Sequence, residues 1–361
     1  RECGLAVQQA GTSVVPNLLE VFRGENEQVS RLLLSYNRPD TFAFPANHAR
    51  LVSAVRLTSM RAPEAVQPFI KDLSSEKAAP KEVSGNHAVQ WRMREGQLTD
   101  EIVLGLGDIG DPAARPILEQ VVLGERNDAW DDITDGMVEL QIRQNAAFSL
   151  NRLGDRAALP TLMKMARDGV IIDIERRSAM LEQRKQPVKD IERYQFNWMV
   201  AQAYAGLATG KEKAEFQKLI DATKEEGLKE KYTSFLVMFD TAAECEVKEG
   251  PAAQAVCYGD QLEDQNALIR EKAVYELMRL PAEHASPVVV ANLEGAQLGT
   301  RELLSHALYR VPSKEAIAKI DEVLDKESSR SGPEYRMDHT RLRLLRAWLV
   351  NNTGPSAKAS E

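Results

Sequence analysis

The sequence predicts an all-α protein, a right-handed α-solenoid of about eight antiparallel helix pairs ending in a C-terminal capping helix. Three observations carry this. One motif recurs four times, as GTSVVPNLLEVFR, RAPEAVQPFIKDL, GDPAARPILEQVV and GDRAALPTLMKMA. Apolar residues recur at helical spacing within and before each copy. No segment alternates with period two over a strand's length, and the best apolar run, VIIDI at 170–174, is short.

Each copy opens at a turn and then places a proline, in order Pro16, Pro68, Pro116 and Pro160. Two residues after it stand Leu18, Ile70, Leu118 and Leu162; five after it stand Val21, Leu73, Val121 and Met165. Positions three apart share a helix face, so these columns predict a buried stripe. Four residues after the proline the chain is polar every time: Glu20, Asp72, Gln120 and Lys164. Counting back from Gly110 and Gly154, the pairs Ile109/Leu153, Leu106/Leu150, Val103/Ala147 and Ile102/Ala146 make one face of a preceding helix, and Ala10, Val7, Gly4 and Cys3 do the same before Gly11. At the turn Gly110 is suited to the left-handed cap, Asp111 to the N-cap and Pro112 to the first turn.

Further pairs follow: Asp190–Ala208 with Lys211–Thr223, Leu228–Glu244 with Ala252–Gln261, Asn266–Leu280 with Glu283–Leu293, and Arg301–Arg310 with Ser313–Lys326. A last helix, Tyr335–Val350, sets Arg336, Arg341, Arg343 and Arg346 around Leu342, Leu345 and Trp348, the pattern of a cap with a wet outer face. The expected organisation is N-terminal repeats at 1–168, an irregular insertion at 169–189, divergent repeats at 190–326, the capping helix at 327–351 and a flexible tail at 352–361. Loops are expected at 23–47, 74–96 and 123–136.

At Leu106–Val122 (LGDIGDPAARPILEQVV) and Leu150–Ala166 (LNRLGDRAALPTLMKMA) the chain resembles the HEAT-repeat family and its shorter bacterial HEAT-like relatives. That resemblance implies a solenoid whose second helices line the concave side. It implies little about activity.

Composition excludes several classes. The 361 residues are 43% hydrophobic and 28% charged, with no apolar run of the roughly 18 residues a membrane span needs. Net charge is −8, the wrong sign for wrapping nucleic acid. Five histidines and three cysteines are scattered, without H-x-x-x-H, H-E-x-x-H or C-x-x-C, so neither a metal nor a cofactor is expected. Deoxyhypusine hydroxylase, a HEAT-like enzyme, needs several His-Glu pairs, and this chain offers only Glu283-His284, in the reverse order. Gly105 and Gly107 in GLGDIGD imitate a dinucleotide fingerprint, but no strand precedes them. The loop NDAWDDITDG at 127–136 is dense in aspartate; its spacing is not that of an EF-hand, and a solvated helix N-cap is the plainer reading. Asn351-Asn352-Thr353 fits a glycosylation sequon.

Cys245 and Cys257 flank Gly250-Pro251 at similar heights on the two arms of a helical hairpin, within reach of a disulfide; two buried thiols are the alternative. A bridge implies an oxidising compartment. With the missing initiator methionine it leans towards a bacterial periplasm or envelope, the cytoplasm being the alternative. Cys3 falls on the core column as a packed thiol.

The function expected from these readings is a non-enzymatic scaffold that binds another protein, with no small-molecule ligand. Glu20, Asp72, Gln120 and Lys164, joined by Arg23, Arg115 and Arg167, form the candidate contact ridge. The alternative is a HEAT-like enzyme of bilin-lyase type with a site in the concave groove, for which no residue set stands out.

Overall fold

The computed structural model describes residues 2–35, 45–75, 86–124, 137–169 and 189–353, and among these every regular element is helical. The all-α solenoid class therefore holds. The acidic loop at 127–136, the run at 170–174 and the tail beyond 353 lie outside the described residues, as do the side chains of Cys3 and His87. The chain forms two compact units, Thr12–Leu207 and Ala208–Glu361, the latter also taking in Arg1–Gly11. The opening helix α1 (Glu2–Ala10) thus belongs to the C-terminal unit.

The N-terminal unit comprises α2 (Val15–Arg23), α3 (Glu27–Ser35), α4 (Pro45–Ser59), α5 (Val66–Leu73), α6 (Asn86–Ile109), α7 (Arg115–Leu123), α8 (Met137–Leu153), α9 (Leu159–Asp168) and α10 (Lys189–Leu207). Residues 27–35 and 86–96, expected as loop, are helical. The first helices α4, α6, α8 and α10 stack in succession, and each second helix packs on the first helix that follows it.

Three of the four back-counted pairs are buried: Leu106 and Leu150, Val103 and Ala147, Ile102 and Ala146 are all inaccessible to solvent, while Ile109 and Leu153 are half-buried. Before Gly11 the same count fails, since Ala10 is exposed and Val7 half-buried while Gln8 faces inward. In the second helices Leu118, Leu162, Leu73, Val121 and Met165 are buried as the spacing predicts. The first two copies differ. Leu18, Val21 and Ile70 are half-buried, while Leu19, Phe22 and Phe69 fill the core. Phe22 meets Phe69 edge-to-face with centroids 5.1 Å apart, and seating this pair turns α2 and α5 off the predicted stripe.

The turns behave as their chemistry dictates. Gly110 and Gly154 adopt φ of +82° and +80°. Asp111 Oδ1 accepts from the Ala113 amide at 2.9 Å, and Asp155 Oδ1 from Ala157 at 3.0 Å. Each aspartate caps a short 3-10 turn, and the repeat's proline then opens the α-helix beyond it. In the second copy Arg61 occupies the left-handed position at φ +52°, an uncommon conformation for a side chain with a Cβ.

Glycines set the spacing of the first helices. A Cβ on Gly105 would meet Thr58 Oγ1 of α4 at 2.3 Å, and one on Gly107 would lie 2.6 Å from Ser149 Cα of α8. One on Gly206 of α10 would come 2.4 Å from Asn151 Nδ2 of α8. The glycines of GLGDIGD are therefore contact points between helices, and that role accounts for the motif.

The C-terminal unit adds α11 (Lys213–Ala222), α12 (Glu226–Ser234), α13 (Leu236–Glu246), α14 (Gly250–Gln261), α15 (Ala267–Leu277), α16 (Ala282–Ala291), α17 (Leu298–Arg310), α18 (Glu315–Lys326) and α19 (Pro333–Thr353). The helix expected over Leu228–Glu244 is broken at Phe235. Thr233 and Ser234 bond back to the carbonyls of Lys229 and Lys231, local bonds that compete with helix continuation. First helices α13, α15 and α17 and the final α19 stack in order, around a core that includes Leu277, Leu293, Leu308, Ile320 and Leu345.

The outer face of α19 is not left wet along its length, because α1 packs against it. Asn351 donates from its side-chain amide to the Gln8 carbonyl at 2.7 Å. The sequon asparagine is thus engaged inside a helix pair. Glycosylation needs that nitrogen free, so the sequon is structural here.

Because the Gly107 contact is with backbone, a methyl group there cannot be accommodated by rotating a side chain. Gly107→Ala is expected to destabilise by about 1–3 kcal/mol despite alanine's better helix propensity. Urea unfolding measures this, with Gly295→Ala as control, since nothing lies within 4 Å of a Cβ placed there.

Candidate functional site

Most of the predicted ridge residues are engaged by neighbours. Asp72 is drawn to the Arg50 guanidinium, which also lies 3.4 Å from Glu95. Arg115 pairs with Glu119 at 3.2 Å and with Asp155 of the next turn at 2.7 Å. Arg23 pairs with Glu25 at 2.7 Å, Arg167 with its neighbour Asp168 at 2.7 Å, and Glu20 accepts from Asn26 at 3.2 Å. Gln120 and Lys164 are exposed. The structure brings these residues into separate local pairs rather than one cluster.

Behind the ridge lies a network that the sequence pattern did not signal. Arg50 of α4 donates to the Phe22 carbonyl at the end of α2, and Arg143 of α8 donates to the Val122 carbonyl at the end of α7, both at 3.0 Å. Each cation thereby satisfies a helix C-terminus. Asp108 near the end of α6 receives Arg61 at 2.7 Å and Arg152 at 2.8 Å, linking three successive turns.

Two turns back on α6, Asn145 and Gln141 of α8 donate to Asp100 at 2.6 and 3.2 Å. The adjacent Glu101 is pushed up to about 7: burial is the main cause, the Asp108 and Asp100 carboxylates add to it, and Arg61 opposes it. A carboxyl that titrates near neutrality has the property acid–base chemistry uses, and buried ion networks produce it equally well.

The C-terminal unit holds a different feature. The second helices α14 and α16 approach closely at Gly259, where a Cβ would come 2.6 Å from Val288 Cγ1. Beside that contact runs an open groove of about 450 Å³, floored by Val256, Pro287, Val288 and Ala291 and edged by Asp260 and Glu263. A second hollow of about 260 Å³, sharing Glu263, Ala291 and Asn292, continues it towards Asp264 and Gln297. Val256 is 59% exposed and adds its apolar surface to that of Pro287 and Ala291 along the groove. Asp260 and Glu263 are exposed, and no described residue pairs with either carboxylate. The lysines of α18 do not reach them. Lys319 and Lys326 are held between Glu294 and Glu322. Pro287, lacking an N–H, leaves the Glu283 carbonyl without its intrahelical donor.

Beneath this groove Cys245 of α13 and Cys257 of α14 are joined, with Sγ–Sγ 2.03 Å and Cα–Cα 5.5 Å. Among the described residues no group of three or more histidine, cysteine, aspartate or glutamate side chains is placed to hold a metal ion. No described helix is long and apolar enough to cross a membrane.

Residues 142–168, which are most of α8 and all of α9, match the family model described as PBS lyase HEAT-like repeat. The HEAT-like resemblance read from the turn and its flanking columns therefore holds for this pair. Among solved structures the chain is similar to human deoxyhypusine hydroxylase in complex with glycerol, at 17% identity over 80% of this chain and 98% of that one, with a TM-score of 0.28. At that TM-score no substrate and no residue role transfers. Among curated proteins none matches. The expectation that the chain is non-enzymatic is corrected here: the family model that matches this repeat is described by a lyase. Repeats of this kind occur in enzymes, so the repeat pattern gave no ground for excluding catalysis.

Glu101 yields a pH signature. Its folded-state value lies above the unfolded one, so the penalty for its charge is absent below about pH 4.5 and fully present above about pH 7. Glu101→Gln is expected to raise stability by of order 1 kcal/mol at pH 8 and to leave it unchanged at pH 4. Thermal unfolding of both proteins across that range reads the difference.

Proposed function

We propose that this chain acts by holding another protein against the second helices of its C-terminal unit, at the groove between α14 and α16. The observation that carries the reading is the pairing of an exposed apolar floor with rim carboxylates that no described residue neutralises. Several charges elsewhere that looked available from the sequence, Asp72 and Arg115 among them, are engaged by neighbouring residues. Stacked helical pairs leave such a face open because each pair buries its apolar stripe on the next and needs no further cover.

The Cys245–Cys257 bridge supports an oxidising, extracytoplasmic setting, and the partner is then a component of an envelope or surface assembly. A photo-crosslinking amino acid at Val256, introduced in the native host, tests the docking reading. Crosslinks to one defined protein, lost when the crosslinker is moved to exposed Lys164, are the expected result. Equal, diffuse labelling from both positions contradicts it. Peptide mapping of the same material without reductant is expected to recover Cys245 and Cys257 linked.

A further inference from the structure

Resting on that docking reading, we propose that the occupant of the α14–α16 groove is a basic segment of the partner, its lysine or arginine side chains meeting Asp260 and Glu263 and an apolar side chain seated over Val256 and Pro287. Three features of the groove point to this chemistry. The rim carboxylates are exposed and no described residue pairs with them, while Lys319 and Lys326 of α18 are committed to Glu294 and Glu322. Arg270, which lines the continuing hollow, is buried and fully engaged by the carbonyls of Asp264 and Gln265, the Thr300 hydroxyl and the Gln297 side chain. It therefore leaves no cation to receive an acidic ligand. The floor at Val256, Pro287, Val288 and Ala291 is apolar, and the aliphatic stem of a lysine or arginine packs on such a surface while its charge stays at the rim.

An acidic peptide or a nucleic acid would place like charges against this rim, which disfavours either ligand. The floor supplies the apolar contact that electrostatic steering alone does not. Charge sets which segment binds, and Val256 with Pro287 sets where it seats.

The test is fluorescence anisotropy on the full chain with two labelled synthetic helical peptides, one with leucine on one face and lysine on the other, and a counterpart with glutamate in place of lysine. The wild-type protein is expected to bind the lysine peptide, with affinity falling as salt is raised, and not the glutamate peptide. Asp260→Lys combined with Glu263→Lys, both at exposed and unpaired positions, is expected to weaken the lysine peptide roughly tenfold or more. The same double substitution should raise binding of the glutamate peptide. Val256→Asp, with circular dichroism to confirm folding, is expected to weaken hydrophobic seating without reversing the charge preference.

Unchanged binding of the lysine peptide by the charge-reversed protein overturns the proposal. So does self-association of the wild-type chain that the same reversal abolishes, since a second copy then fills the groove. If the Val256 crosslinker still captures its partner while charge reversal has no effect, docking stands and the partner chemistry falls. If neither responds, both fall.

Discussion

Near-backbone contact between consecutive first helices is the constraint on which the N-terminal unit depends. Gly105 and Gly107 lie two residues apart on α6, one against Thr58 of α4 and the other against Ser149 of α8. That spacing brings the turn ends of three first helices into register. Only in that register can Asp108 receive Arg61 from one side and Arg152 from the other. Burial of Glu101 follows from the same closeness, which removes solvent from its carboxylate and sets Asp100 and Asp108 beside it. The polar network is thus a consequence of helix packing and reinforces it.

The C-terminal unit uses deeply buried cations as anchors. Arg301, almost wholly buried in α17, forms a two-pronged pair with Glu327 at 3.1 and 3.0 Å and lies 3.1 Å from Asp338 of α19. Burial raises Asp338, and the Arg301 guanidinium opposes that rise. Lys272, with no exposed surface, reaches the Ala208 carbonyl and pairs with Glu276 at 2.7 Å. With α1 folded onto α19, both ends of this unit's chain are engaged, and the second-helix face between α14 and α16 remains open.

The repeat was legible because its signals are local. A glycine, a capping aspartate and an apolar column within a dozen residues each act inside one turn or one helix face, and the structure shows them at Gly110, Asp111 and Leu118. The arginine caps were not legible. Arg50 and Phe22, or Arg143 and Val122, meet only once neighbouring pairs have stacked, and a cation on a helix otherwise signals a solvated face. The local partners of the candidate ridge were not legible for the same reason, since a polar column predicts exposure but not the partner that a neighbouring turn or repeat supplies. The groove escaped notice because α14 and α16 carry little periodic contrast: Val256 looks like a core residue in the sequence and is 59% exposed in the fold. Loop boundaries erred where helices extend beyond the recurring motif, as at Asn86 and Glu27.

The central claim is that the carboxylates at the groove rim are free while Asp72, Asp108 and Asp338 are engaged between neighbouring helices. Carbodiimide labelling of carboxylates on the native protein, resolved residue by residue by mass spectrometry, measures that division directly. Asp260 and Glu263 are expected to react at the rate of freely solvated carboxylates, with Asp72, Asp108 and Asp338 strongly protected. Protection of Asp260 and Glu263 equal to that of Asp108, in the isolated chain, would contradict the account.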